Sequence, residues 1–154
     1  MTTPLEGKIL AVNISEKKGT KKVNVGSTRL VKGWGIPEDA HSGDWHRQIS
    51  LLAKSSIEKI RKMGLEVDYG DFAENLAVDG IDFEKLPVGT KLAVGNGAII
   101  RITQKGKECH SRCAIYYQVG DCVMPREGVF AEVLEGGEVK VGDPIKTIEI
   151  PTSE

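Results

Sequence analysis

The sequence predicts a mostly β fold, a barrel or a sandwich, on three observations. Short apolar runs rich in Val, Ile and Leu recur along the chain, the 18 glycines fall between these runs or punctuate them, and two Gly-rich pairs of runs have the form of hairpins. The runs are "KILAVNI" (8–14), "KVNVGSTRLVKG" (22–33), "RQISLLA" (47–53), "ENLAVDG" (74–80), "TKLAVGNGAIIRIT" (90–103) and "GVFAEVLEGGEVKVGDPIKTIEI" (128–150). Within them "GNG" (95–97) and "EGGE" (135–138) read as hairpin turns, because Gly and Asn accept positive φ at little cost. "LPVGTKLAV" (86–94) and "VKVGDPIKTI" (139–148) share a V-G-x-x-apolar core, and each is expected to turn into a strand that closes a barrel.

Two helices interrupt this pattern. In "KSSIEKIRKMG" (54–64) Ser55 and Glu58 have capping-box spacing, Ile57, Ile60 and Met63 recur on one helical face, and Gly64 is a stop. In "HSRCAIYYQVG" (110–120) Ser111 is placed to cap a short helix ending at Gly120, which sets Cys109 just before a helix N-terminus. No linker composition breaks residues 5–150, so a single domain is expected there, with short tails at 1–4 and 151–154.

At 154 residues a chain folding as one domain buries roughly 70% of its surface, enough for a core without staples. A net charge of -1, with 28% charged residues of both signs, gives no footprint for nucleic acid or an anionic membrane. A small-molecule or protein partner is expected instead. The N-terminal "MTTPLEGKIL" lacks a secretory pattern and no run approaches the roughly 18 apolar residues that span a bilayer, so the expected location is cytoplasmic. Three cysteines, an odd number, fit free thiols in a reducing compartment.

All three lie in "KGKECHSRCAIYYQVGDC" (105–122), and local chemistry leaves three roles open: metal clamp, reactive thiol, packing. A thiolate is favoured by nearby cations and helix amides, and Cys109 has Lys105, Lys107, His110 and Arg112 close in sequence. Cys113 sits beside Ala114 and Ile115, and it and Cys122 read as packing. Zinc held by Cys109, His110, Cys113 and Cys122 is the alternative, although one C-x₃-C lacks the second ligand pair usual in structural sites.

Two further stretches carry candidate binding groups. "GIPEDAHSGDWHRQISLL" (35–52) holds His41, His46, Trp45 and Arg47 on a Gly-punctuated loop; Arg47 suits a phosphate or carboxylate, and the plain alternative has the histidines pairing with Asp39 and Asp44. "YGDFAENLAVDG" (69–80) sets Glu74 and Asn75 at the entry to a strand, where an amide suits either a heterocycle edge or an Asx turn.

Taken together, "DAHSGDWHRQISLL", "GDFAENLAVDGIDFEKLPVGTKLAVGNGAIIRITQKGKEC" and "GVFAEVLEGGEVKVGD" resemble the MOSC domain, named after the C-terminal part of molybdenum cofactor sulfurase. The resemblance runs from about Gly7 to Lys146 and is specific in its order of motifs. It implies a closed β-barrel like the small barrel domain of pyruvate kinase and a role in molybdenum cofactor metabolism, as a stand-alone member. Relatives also occur behind a pyridoxal-phosphate desulfurase domain and in molybdenum-dependent reductases of N-hydroxylated compounds. The family cysteine, a carrier of sulfane sulfur or a ligand of molybdenum, maps onto Cys109. His41, Arg47, Glu74 and Asn75 match positions near that cysteine or the pterin, and Arg126 in "MPREGVFA" is a further phosphate candidate. Ser42 and Ala73 depart from the pattern, standing where many relatives have Gly.

The resemblance thus implies molybdenum cofactor (molybdopterin) as ligand. A pyridoxal phosphate site is not expected in so short a chain, so a cysteine desulfurase or other sulfur donor is the expected partner, with cofactor biosynthesis proteins or molybdoenzymes as acceptors. Whether the chain is itself an enzyme stays open. The other readings are a molybdenum-dependent reductase and a zinc-stabilised binding domain.

Overall fold

The computed structural model describes residues 5–17, 21–40, 42–64, 66–72, 74–105 and 128–151. Among these, ten strands form: β1 (Glu6–Ile14), β2 (Val23–Asn24), β3 (Ser27–Leu30), β4 (Ile49–Ala53), β5 (Leu76–Asp79), β6 (Lys91–Val94), β7 (Ala98–Lys105), β8 (Val129–Glu135), β9 (Gly137–Lys140) and β10 (Pro144–Glu149). Seven of them close a barrel in the order β1-β10-β6-β7-β8-β4-β5, with β5 pairing back onto β1. The predicted barrel is therefore present. β2 extends the β1 edge, and β3 and β9 form a separate two-stranded ribbon.

The two V-G segments become β6 and β10, which pair with each other from Ile145↔Val94 to Glu149↔Lys91, while β10 closes the barrel on β1. All barrel pairs are antiparallel except β4–β5, which is parallel. A parallel pair needs a crossover, and the connection carries the helix α1 (Lys54–Lys62).

That helix explains why β4, apolar except for Ser50, is buried at every position. Ile49, Leu51 and Ala53 join the barrel core with Leu76, Val78, Val129 and Ala131. Leu52, Ala77 and Phe130 point the other way, into a second cluster with Ile57 and Ile60 of α1. Each large apolar side chain so buried contributes roughly 1.5–3 kcal/mol. In β1 the inward parity changes from Ile9 to Val12, with Ala11 in the outer cluster, because a bulge falls between Ile9 and Ala11.

Two local expectations are corrected. Ser55 does not cap α1: the helix grows directly out of β4 with Ala53 at the N-cap and no capping side chain, and Met63 is exposed although Ile57 and Ile60 are buried. "EGGE" is not a hairpin turn, since β9 pairs with β3 and not with β8. Its glycines serve close approach instead, as a Cβ on Gly136 would stand 2.7 Å from the Leu30 carbonyl oxygen. "GNG" does form the β6–β7 hairpin turn, with Val94 opposite Ala98. The second expected helix lies outside the described residues. Among those described, no helix is long and apolar enough to cross a membrane.

Candidate functional site

The loop between β3 and β4 is tied down at its base by a buried ion pair. Lys22 Nζ lies 2.7 Å from Asp39 Oδ1, both side chains fully out of solvent, and the same oxygen accepts from the Ser15 amide at 3.0 Å. Lys22 also donates to Ser15 Oγ, and the Ala40 amide to the Ser15 carbonyl. Asp39 is thus the partner of a lysine 17 positions away. Ser42, at the position of a family glycine, turns its amide and hydroxyl back onto the Asp39 carbonyl at 3.1 and 2.8 Å. His41 lies outside the described residues.

Beyond this anchor the loop docks on the outer face of the barrel. His46 Nε2 and Arg47 Nε both stand 3.0 Å from Gln104 Oε1. The guanidinium of Arg47 lies 5.1 Å from the Phe130 ring centroid and 6.0 Å from that of Trp45, and Trp45 meets His46 edge to face. Thr103 Oγ1 lies within hydrogen-bond reach of the His46 and Phe130 carbonyls, which share its one proton. A bulge in β7 between Ile102 and Gln104 makes this possible. In a regular strand Thr103 and Gln104 would face opposite ways; the bulge brings both consecutive side chains to residues 46 and 47. No signal in the sequence marked Thr103 or Gln104, because their partners are 57 and 58 positions away.

Glu74 and Asn75 lie elsewhere, at the entry to β5, and are fully buried. Asn75 Oδ1 accepts from the Ser50 amide and hydroxyl at 2.9 and 3.2 Å, its Nδ2 donates to the Asn13 carbonyl at 3.0 Å, and the Asn13 amide returns a bond to the Asn75 carbonyl at 2.7 Å. This bracket ties β1 to the starts of β4 and β5. Glu74 Oε2 accepts from the Gly70 amide at 2.8 Å. Gly70 has φ +95°, and a Cβ there would stand 2.1 Å from the Lys22 carbonyl oxygen, so the loop needs glycine on both counts. Burial raises the Glu74 carboxyl to about 7, only partly offset by backbone amides. Glu74 Oε1 and Asn13 Oδ1 have no hydrogen-bond partner among the described residues.

Cys109, His110, Cys113, Cys122 and Arg126 lie outside the described residues. The strands that flank their segment are placed: Lys105, the last residue of β7, pairs with Val129, the first of β8. Gln104, which receives Arg47, is opposite Phe130 in the next rung. A recess of about 410 Å³, lined among the described residues by Ile14, Ser15, Glu16, Lys17, Lys21 and Val23, includes neither Arg47 nor Glu74.

A family model described as the MOSC domain matches residues 38–146. No curated protein matches the chain. Among solved structures, the YUAD protein from Bacillus subtilis superposes with a TM-score of 0.78 at 20% identity, over 96% of this chain and 98% of that one. YiiM from Escherichia coli gives 0.68 at 16% identity, over 97% and 72%. YiiM from Geobacillus stearothermophilus gives 0.68 at 17%, over 93% and 75%. At such identities the likeness is one of fold.

Proposed function

Because the chain belongs to the MOSC domain family, we propose that it acts in molybdenum cofactor metabolism, binding the cofactor or passing sulfane sulfur to it through Cys109. The observation that carries this reading is the family match over residues 38–146, a span that takes in the docked loop, the "GDFAEN" motif and the cysteine segment. The donor set offers support. Arg47 is held by Gln104, Phe130 and Trp45, and among the described residues it pairs with no carboxylate, so its terminal NH groups fit a phosphate.

In this reading Arg47, with Arg126 and His41, receives the anionic end of the ligand. Asn75 and Glu74 hold the loops around it, and Glu74 Oε1 has no hydrogen-bond partner among the described residues. Cys109 follows Lys105, the last residue of β7, by four positions in the sequence. A soft thiolate suits molybdenum and sulfane sulfur alike. As a carrier, the Cys109 thiolate attacks the outer sulfur of a donor persulfide, the donor S–S bond breaks, and the donor leaves as its thiol. A cysteine desulfurase is the proposed donor, and the cytoplasm, where thiols stay reduced, the proposed setting.

The test is incubation with a cysteine desulfurase and cysteine, followed by intact mass, beside elemental analysis after co-expression with cofactor biosynthesis proteins. One added sulfur, absent from Cys109→Ala, or retained molybdenum is the expected result. Equal sulfur uptake by Cys109→Ala, with neither protein retaining molybdenum or pterin, removes the reading.

A further inference from the structure

We infer that Gln104 is the positioning residue of the Arg47 site: its one side-chain oxygen fixes His46 in the Nε2–H tautomer and holds Arg47 by Nε, leaving His46 Nδ1 as an acceptor and the terminal NH groups of Arg47 as donors. The ligand these groups serve rests on the proposed function; the tautomer does not.

The argument begins with atom identity. Arginine carries only donors, so the Gln104 atom 3.0 Å from Arg47 Nε is the oxygen and not the amide nitrogen. His46 Nε2 stands at the same distance from that same oxygen. An oxygen of a primary amide cannot donate, so Nε2 must carry the proton. In a neutral imidazole the other nitrogen is then a bare acceptor, on the ring edge away from Gln104. No hydrogen bond engages Nδ1 among the described residues.

The surroundings restrain both groups further. Thr103 Oγ1 holds the His46 carbonyl, Trp45 packs edge-on to the His46 ring at 5.8 Å, and Phe130 underlies the Arg47 guanidinium. Arg47 therefore meets an incoming oxyanion with its orientation already set, and ordering it on binding costs little. An acceptor on the neighbouring residue adds a group that receives a proton or a hydrogen bond from the ligand. Bulged geometry is required for this, since Thr103 and Gln104 act on residues 46 and 47 from the same face.

The experiment uses the whole chain and two variants, Gln104→Leu and Gln104→Glu. Gln104 is half-buried on the barrel exterior, and glutamate keeps an oxygen that accepts from both partners. Long-range ¹H–¹⁵N spectra at about pH 8, where imidazoles are ordinarily neutral, read the tautomer. The parent and Gln104→Glu should show His46 with its proton on Nε2, and Gln104→Leu should show a mixture or the other tautomer. Titration with inorganic phosphate should be about tenfold weaker in Gln104→Leu than in the parent. A parent His46 with its proton on Nδ1, or a Gln104→Leu protein unchanged in both readouts, overturns the inference. A locked tautomer in a parent that binds no phosphate upholds the role of Gln104 and removes the phosphate role of Arg47.

Discussion

Two polar clusters serve the motifs of this chain, and they are built in opposite ways. The Asn13–Ser50–Asn75 bracket is sealed: fully or almost fully buried, its groups bond chiefly to one another and to the barrel backbone. The Trp45–Arg47 cluster is open, half-exposed on the barrel exterior, with donors left over after Gln104 has taken its share. A buried amide that is satisfied internally stabilises and specifies; a clamped guanidinium with spare donors recognises. Motif membership alone does not separate the two roles, whereas the hydrogen-bond inventory does.

The hardest way to break the comparison is through the anchor that joins the clusters. Asp39→Ala removes the carboxylate that faces the buried Lys22 ammonium, and unfolding in urea should show a loss of about 3 to 5 kcal/mol. A loss below 1 kcal/mol would mean the lysine escapes to solvent and the loop base is soft. Next comes the pH response of the sealed side. The folded Glu74 carboxyl, raised from 4.5 to about 7, keeps its proton where the unfolded chain has released it. Its stabilisation is therefore full below about pH 4.5 and is lost as pH rises through about 7, a swing of about 3 kcal/mol. Glu74→Gln should flatten the corresponding slope between about pH 5 and pH 8, and an unchanged slope would count against a neutral Glu74.

Asn75→Ala should cost about 2 to 3 kcal/mol, because it leaves the Ser50 amide short of an acceptor and the Asn13 carbonyl without its side-chain donor. The smallest stability effect belongs to the open side: Arg47→Ala should change unfolding by no more than about 1 kcal/mol. The same variant should lose phosphate binding in a calorimetric titration. If it destabilises as much as Asn75→Ala, the distinction between sealed and open clusters fails.

The strands were legible because their burial is written locally. "KILAVNI", "RQISLLA" and "AIIRIT" carry their own apolar pattern, and the paired V-G segments announced strands that close the barrel. What stayed illegible depends on distant partners. "EGGE" has hairpin composition, yet its strand finds β3 more than a hundred residues back, and the glycines answer a backbone contact that composition does not reveal. Ser55 has capping spacing, but α1 starts two residues too early for it to cap, being continuous with β4. Arg47, Glu74 and Asn75 stood out from their loop and strand-entry contexts and again in the resemblance, while Gln104 and Lys22 were missed. Gln104 matters only because a bulge turns it, and Lys22 looks like one of several solvated lysines until Asp39 is seen opposite.

The closure of β1 on β10 sets the order of events during synthesis. Leu5 and Thr147 exchange hydrogen bonds across 142 positions, so this seam cannot form until nearly the whole described chain has left the ribosome. Through that interval one edge of β1 stands bare, an invitation to strand exchange between nascent copies. Glu6 and Lys8 flank its open end, and their charges are the kind that discourage such pairing.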